Sequence, residues 1–291
     1  MRWKKARRSD NVVDQRGKGR RSGKGLSLAA IAAIVIMGLV SGQDPIQIIS
    51  NIAGQAVQQG GINLGGQTAE QSEMLKSDPQ SEFVRAILGD TEDTWRDIFS
   101  QAGNHYTDPK LVLFSGSVRS ACGYADAAIG PFYCPADQQV YLDLSFFTEM
   151  EQRFAATGEF AQAYVIAHEV GHHVQTLLGV STHVQAARQR GERVEGHNGL
   201  LVRQELQADC LAGVWAHHAQ QRHNWLEPGD LKDALNAAQA IGDDRLQKQA
   251  QGYVVPDSFT HGTSQQREHW FTQGYKTGKA NQCDTFSAQL L

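Results

Sequence analysis

Two short polar patterns at helical spacing constrain the fold of this chain more than any other feature of its sequence. His168 and His172 stand four residues apart, with Glu169 beside the first of them. Glu205 and Asp209, again four residues apart, begin 33 residues after His172. Because an α-helix turns once every 3.6 residues, the two members of each pair lie on one face of their helix. The fold must therefore accommodate two helices with polar faces of this kind.

The residue types in both patterns are those of a catalytic zinc centre. Zn²⁺ binds imidazole nitrogen and carboxylate oxygen in a tetrahedral shell, and a catalytic site keeps one position for water. We predict that His168, His172 and Glu205 are the metal ligands. Glu169 would hold the water and take its proton, because the metal lowers the pKa of the water toward ~7. Mn²⁺ or Co²⁺ could occupy the same donor set in vitro.

The predicted burial of the second helix explains why its two carboxylates need a cation. Residues 199–216 are rich in alanine and large apolar side chains, which predicts a largely buried helix. Carboxylates on a buried face are costly unless a cation neutralises them. Glu205 is therefore predicted as third ligand, and Asp209 as the acceptor of the free ring N–H of one histidine ligand. The alternative is a charged helix face that pairs with Arg193 or Arg203.

Two neighbours of the first pattern have different interpretations. His173 lies about 100° around the helix from His172, so it cannot share the ligand face and is assigned to packing or to the substrate side. Gly171 costs roughly 1 kcal/mol inside a helix. A glycine at this position therefore predicts that a neighbouring backbone packs close to it.

Four segments of the chain resemble one known family. They are AYVIAHEVGHHVQ (163–175), RQELQADCLAGVWA (203–216), FTHGTSQQREHWFTQGY (259–275) and the opening MRWKKARRSDNVVDQRG (1–17). The family is that of the bacterial neutral zinc metallopeptidases, and the resemblance covers most of the chain, being weakest over 42–80. It implies a zincin-like peptidase in which His168 and His172 bind zinc and Glu169 is the catalytic residue. The third ligand is implied by the ELQAD run.

Residues 26–42 carry no charge and predict a membrane segment. Ten Lys or Arg and only two Asp precede them within residues 1–24. A transmembrane helix needs about 20 apolar residues and tolerates ~17, and a positive flank stays in the cytoplasm. We predict a basic cytoplasmic segment (1–25), a single-pass inner-membrane anchor (26–42), a flexible linker (43–79) and a periplasmic or otherwise extracytoplasmic domain (80–291). A signal peptide cleaved near Gly42 is the alternative.

The charge that remains after the basic segment excludes one class of partner. The chain has 27 basic and 31 acidic residues, and the first 24 residues hold ten and two of them. The rest keeps 17 basic and 29 acidic residues, a formal charge of −12. Because such an acidic domain is a poor partner for nucleic acid, we expect no nucleic-acid partner. The basic run is assigned to membrane topology and contact with anionic lipid.

The other patterns predict an α+β domain that is mostly helical, with a small mixed sheet. Asp78-Pro79 indicates the start of a helix, and a second helix is expected from about Thr91. Residues 110–116 and 138–147 are predicted strands. In zincins a strand near the metal helix commonly offers its edge to an extended peptide. Residues 138–143 are assigned to that role, with an ordinary core strand as the alternative.

The four cysteines predict two disulfides, because an even number in an exported domain favours pairing. Of the three possible pairings we favour Cys122–Cys134, which closes a short loop, and Cys210–Cys283. The second bond would tie the helix with the two carboxylates to the C-terminal tail. Zinc binding by cysteine is the alternative, but the sequence has no C-x-x-C pair.

Together these patterns favour a membrane-anchored, zinc-dependent metallopeptidase that hydrolyses the peptide bonds of polypeptides outside the cytoplasmic membrane. Two alternatives stay open: a non-catalytic, zinc-stabilised envelope scaffold, and a hydrolase of cell-wall peptide amides. Peptide hydrolysis also needs a group that stabilises the tetrahedral oxyanion. His261 is a candidate, and a plain turn histidine is the alternative for it.

Overall fold

The computed structural model describes residues 1–17, 78–154, 158–288 and 291. These residues form eight α-helices and one small mixed sheet with a separate hairpin, which agrees with the predicted α+β class. The helices are α1 (Pro79–Gln101), α2 (Ser145–Phe154), α3 (Glu159–Leu177), α4 (Val180–Gln189), α5 (Leu200–His223), α6 (Asp230–Ala240), α7 (Asp243–Gln251) and α8 (Ser264–Thr277).

Helix α1 is one continuous helix of 23 residues. Its start is confirmed, since the Asp78 carboxylate accepts a hydrogen bond from the N–H of Gln80 and Pro79 occupies the first turn. The separate helix predicted from about Thr91 is wrong. Thr91 is fully buried inside α1, and its hydroxyl donates to the carbonyl of Leu88 one turn earlier. The chain therefore has no break at the predicted boundary.

Four strands form the sheet in the order β1–β2–β6–β5. They are β1 (Val12–Asp14), β2 (Lys110–Phe114), β6 (Gln139–Asp143) and β5 (Phe132–Cys134), and β3 (Ser117–Ser120) and β4 (Gly123–Asp126) form the hairpin. Strands β1, β2 and β6 run parallel, and β5 is antiparallel to β6. The assignment of 138–143 as an edge is wrong, because β6 lies between β2 and β5. Strand β5 is the edge instead.

Strand β1 comes from the stretch that the sequence predicts as a separate basic segment. It pairs in register with Leu111–Leu113 of β2. Trp3, 7% exposed, packs edge-on against Phe83 of α1, with the ring centroids 5.3 Å apart. Residues Met1–Arg16 thus belong to the same compact unit as the described residues from Asp78 onward. The compartment expected for residues 1–25 stays a prediction.

Helix α1 contacts this N-terminal segment through a buried carboxylate and a glycine. Glu92 is 1% exposed, and its carboxylate accepts hydrogen bonds from the side chains of Arg7, Ser9 and Asn11. Gly89 leaves room for the crossing chain, since a Cβ there would stand 3.1 Å from the carbonyl oxygen of Arg7 and 3.1 Å from the amide nitrogen of Ser9. The segment is therefore held by buried polar contacts as well as by strand pairing.

Helices α3, α5 and α8 pack with their backbones in close contact. A Cβ at Gly171 of α3 would lie 3.0 Å from the carbonyl oxygen and 3.2 Å from the Cα of Ala208 on α5. The close backbone predicted at Gly171 is thereby confirmed. A Cβ at Gly274 of α8 would collide with the carbonyl of Cys210. Gly171 thus sets how near the two polar helix faces approach each other, and Gly274 lets α8 pack closely on α5.

Both favoured disulfides are confirmed. Cys122 bonds Cys134, and Cys210 bonds Cys283, so all four cysteines are paired. The second bond ties α5 to the segment that follows α8, as expected for the favoured pairing.

Within the described ranges, no helix is both long enough and apolar enough to span a membrane. The predicted anchor, 26–42, and most of the linker, 43–79, lie outside these ranges. Both assignments stay predictions.

Candidate metal centre

The two helices bring the three predicted ligands together. Nε2 of His168 lies 3.2 Å from Oε2 of Glu205, and Nε2 of His172 lies 3.4 Å from Oε1 of the same carboxylate. One donor atom from each of the three residues lies within 4.8 Å of the others. A tetrahedral metal with bonds of about 2.0–2.2 Å to nitrogen and oxygen fits between donors so spaced.

The hydrogen-bond partners of the two imidazoles leave their Nε2 atoms free to bind a metal. Nδ1 of His168 lies 2.8 Å from the carboxylate of Asp209, which accepts only, so this nitrogen carries the proton. Nδ1 of His172 lies 2.9 Å from Oε1 of Gln175. With Nδ1 of both rings engaged in these hydrogen bonds, the two Nε2 atoms and one carboxylate face a common point. This donor set suits zinc.

Asp209 is itself held by residues that the sequence analysis did not identify. Arg267 of α8, 1% exposed, donates to both carboxylate oxygens at 2.8 and 2.9 Å, and Tyr164 donates its hydroxyl to one of them. Desolvation by burial raises the pKa of Asp209, but Arg267 and His168 outweigh it and lower the pKa to about 2. Asp209 is therefore a fixed negative charge behind the first histidine.

The alternative partners for the helix carboxylates are elsewhere. Arg193 donates to the carbonyl of Asp257 at 2.6 Å. Arg203 donates to backbone carbonyls, including that of Ala288 at 3.0 Å. Glu205 forms its ion pairs with His168 and His172 instead, at 3.2 and 3.4 Å.

Burial and charge perturb the titrating groups at the centre. Burial lowers the pKa of His168, but the Asp209 and Glu205 carboxylates outweigh this and raise it to about 10. The pKa of His172 is raised in the same way by Glu205. Burial raises the pKa of Glu205, but the two histidines overcome it and hold the pKa well below its usual range. The pocket therefore holds a positive charge, a proton or a metal ion, against Glu205.

Glu169 lies in the same cavity as the ligands. It is 8% exposed, and burial raises the pKa of its carboxyl group. The cavity has a volume of about 580 Å³ and is lined by parts of α3, α5, the β5 region and the segment around His261. A carboxyl group so placed can exchange a proton with a reactant bound beside the ligands.

His261 also lines this cavity, and Asp243 holds it there. One oxygen of the Asp243 carboxylate accepts the backbone N–H groups of Thr260, His261 and Gly262 at 2.7, 2.6 and 3.0 Å. Nδ1 of His261 lies 3.3 Å from the other oxygen. Burial lowers the pKa of His261, but Asp243 and Glu205 outweigh it and raise the pKa. Asp243 was not identified from the sequence.

His173 is turned away from the ligand face, as its position on the helix predicts. It is fully buried, and its Nε2 donates to the carbonyl of Thr107 at 2.6 Å. Its Nδ1 can then accept from the hydroxyl of Tyr133 on β5, 3.0 Å away. His173 thereby ties the metal-site helix to the edge strand.

Comparisons with known proteins place the whole chain in one group. The family model described as "Putative neutral zinc metallopeptidase" matches residues 1–286. A protein of Escherichia coli (strain K12), "Uncharacterized protein YpfJ", is 49% identical over 301 residues, covering 100% of both chains. A protein of Mycobacterium tuberculosis (strain ATCC 25618 / H37Rv), "Uncharacterized protein Rv2575", is 49% identical over 196 residues, covering 64% of this chain and 65% of the relative. No solved structure matches significantly.

Proposed function

The chain belongs to the neutral zinc metallopeptidase family whose model it matches, and we propose that it hydrolyses peptide bonds in polypeptides. The observation that carries this proposal is the convergence of His168, His172 and Glu205, with Glu169 in the same cavity. A merely structural zinc site closes all four positions with protein ligands. Among the described residues the cluster offers three ligands, as a catalytic zinc site does.

Each residue of the centre has a chemical task in this proposal. Zinc, when bound, supplies a Lewis acid and lowers the pKa of water at its open position. Glu169 takes the proton from the attacking water and passes it to the leaving amine, which its raised pKa favours. Asp209 orients His168. His261, which lines the cavity, would donate a hydrogen bond to the oxygen that becomes negative in the transition state.

The edge strand suggests how a polypeptide binds. Strand β5 is the outermost strand on its side of the described sheet, and Phe132 and Tyr133 line the cavity. An extended peptide that adds to this edge would satisfy backbone hydrogen bonds next to Glu169. Within the described sheet no further strand lies beside β5, which supports a polypeptide substrate, whereas a scaffold does not require such an edge.

The proposal is tested with the purified full chain, zinc and fluorescein-labelled casein. A Glu169→Gln variant should bind zinc like the wild type and lose hydrolysis by 10²-fold or more. Glu195→Gln, a change at an exposed glutamate, is the matched control and should retain full activity. Equal hydrolysis by the Glu169 variant would contradict the mechanism. Cleavage of cross-linked cell-wall peptides but not of casein would instead favour the cell-wall alternative.

We propose that this chemistry takes place outside the cytoplasm, with residues 1–16 on the same side as the catalytic unit. Two disulfides support an oxidising compartment. A chain that crossed the bilayer once between residues 17 and 78 would hold the N-terminal strand on the opposite side from β2. The pairing of β1 with β2 supports a shared compartment instead.

Two variants, each with one added cysteine, test this topology. Lys4 and Lys248 are both exposed, and all native cysteines are paired, so Lys4→Cys and Lys248→Cys each add one reactive thiol. In intact spheroplasts, a membrane-impermeant maleimide should label both variants to the same extent. Labelling of Lys248→Cys alone, with Lys4→Cys reacting only after lysis, would support the single-pass arrangement with a cytoplasmic N-terminus.

A further inference from the structure

A chain of amide hydrogen bonds leads from the second histidine ligand to the C-terminal segment. Gln175 is fully buried, and its Oε1 faces Nδ1 of His172 at 2.9 Å. Its Nε2 donates to the carbonyl of Gln204 at 2.7 Å and to Oε1 of Gln207 at 3.0 Å. The Nε2 of Gln207 donates to the carbonyl of Cys283, also at 3.0 Å.

We propose that Gln175 and Gln207 are positioning residues that make zinc affinity depend on the C-terminal segment around Cys283. The inference rests on the zinc centre of the proposed function. It adds a control of metal binding by residues that do not themselves bind the metal.

The two backbone carbonyls fix the direction of every hydrogen bond in this series. A carbonyl oxygen can only accept, so Gln204 and Cys283 compel the two side-chain amides to present their NH₂ groups to them. Oε1 of Gln207 then faces Gln175, and Oε1 of Gln175 faces His172. His172 must therefore hold its proton on Nδ1, which leaves the lone pair of Nε2 for the metal.

Loss of Gln207 removes one of the two acceptors that orient the Gln175 amide. The amide is then held by a single bond and can turn its NH₂ group toward His172. In that orientation it favours the tautomer with a proton on Nε2, which cannot bind zinc. Removal of a partner that orients a metal-binding histidine typically costs 10–100-fold in metal affinity. Because Gln207 acts through Gln175, about 10-fold is expected.

The last acceptor in this series of hydrogen bonds, the carbonyl of Cys283, is held in place by the second disulfide. Cys283 is bonded to Cys210, which lies on α5 three residues after Gln207. Thr285 adds a hydrogen bond from its hydroxyl to the carbonyl of Arg203 at 2.6 Å. The carbonyl of Cys283 is thereby held against the same helix that carries Glu205. Breaking this disulfide should release the acceptor and weaken zinc binding through the same residues.

Zinc affinity of the purified full chain, measured by competition with a chromophoric chelator, tests the inference. Gln207→Ala should raise the Kd for zinc about 10-fold. Gln221→Ala, a change at an exposed glutamine of the same helix, is the matched control and should leave the Kd unchanged. Gln175→Ala should weaken binding at least as much as Gln207→Ala. The double variant should equal Gln175→Ala alone, because both residues act through one bond.

The disulfides provide a second test that does not depend on the glutamine variants folding well. Cys210→Ser with Cys283→Ser should weaken zinc binding, whereas Cys122→Ser with Cys134→Ser should not. The melting temperature of each metal-free variant is measured alongside. A purely structural role would lower that temperature and leave the Kd for zinc unchanged.

The outcomes separate this inference from the proposed function. A Gln207→Ala variant with a Kd within twofold of the wild type would overturn the inference and leave the zinc centre standing. A wild-type chain that binds no zinc would overturn the centre and the inference together. Weakened zinc binding in a chain that hydrolyses no polypeptide would support the inference and contradict only the hydrolysis.

Discussion

Trp3→Ala should destabilise the whole domain, although the residue lies at the start of a segment whose composition resembles a topology signal. Trp3 is 7% exposed, packs on Phe83, and donates its indole N–H to Glu159 at 2.9 Å. Truncation of a buried tryptophan to alanine typically costs about 3–5 kcal/mol. Since 1 kcal/mol shifts Tm by roughly 2–4 °C in a domain of 150–250 residues, we expect a decrease of about 6–20 °C.

The assay is thermal and urea unfolding of the metal-free full chain, followed by circular dichroism. Lys4→Ala removes an exposed neighbour and should change stability by less than about 0.5 kcal/mol. If Trp3→Ala unfolds like Lys4→Ala, residues 1–16 do not form part of the folded unit. That result would also remove the support for a shared compartment. A large loss of stability would mean that a truncated chain beginning near Pro79 lacks part of its fold.

Three further predictions concern the metal centre. Gly171→Ala forces α3 away from Ala208, so zinc affinity should fall, and unchanged zinc affinity would contradict this. The Tm of the metal-free chain should also drop slightly, because the overpacking cost of about 1–3 kcal/mol exceeds the gain of about 1 kcal/mol in helix propensity. His261→Ala should lower kcat on casein by about 10²-fold with little change in KM, and an unchanged kcat would exclude an oxyanion role. Zinc binding at pH 7 should release at least one proton, because His168 has a pKa of about 10 without metal, the pKa of His172 is also raised, and each ring must lose its extra proton to bind zinc. The affinity should therefore rise with pH up to about 10, and calorimetry in two buffers measures the release; no release would show that His168 starts neutral.

The parts of the centre that depend on local spacing could be predicted from the sequence. Two residues four apart on a helix share a face wherever the helix is placed, so the sequence alone pairs His168 with His172 and Glu205 with Asp209. A glycine inside a helix likewise indicates that a neighbouring backbone packs close to it, and at Gly171 this neighbour is Ala208.

The parts that depend on distant pairing could not be predicted in this way. Strand β1 has three residues, and its pairing with β2 begins at Leu111, far along the chain. Its alternating pattern is too short to distinguish a strand from a basic leader. The same limit applies to β5, another three-residue strand, and without β5 the sequence predicts β6 as the sheet edge. In each case the missing information was which strand lies next to which.

The protonation of the ligands belongs to this second class and decides whether the centre binds a metal at all. A carboxylate and two imidazoles could equally form a buried ion pair that keeps its proton. Asp209 remains charged because Arg267, 58 residues further along the chain, holds both of its oxygens. Its charge fixes the proton of His168 on Nδ1, as Gln175 does for His172. The two helical patterns identify the residues that face the metal, but residues outside those patterns hold Nδ1 of each ring, so that Nε2 is the nitrogen that gives up its proton to the metal.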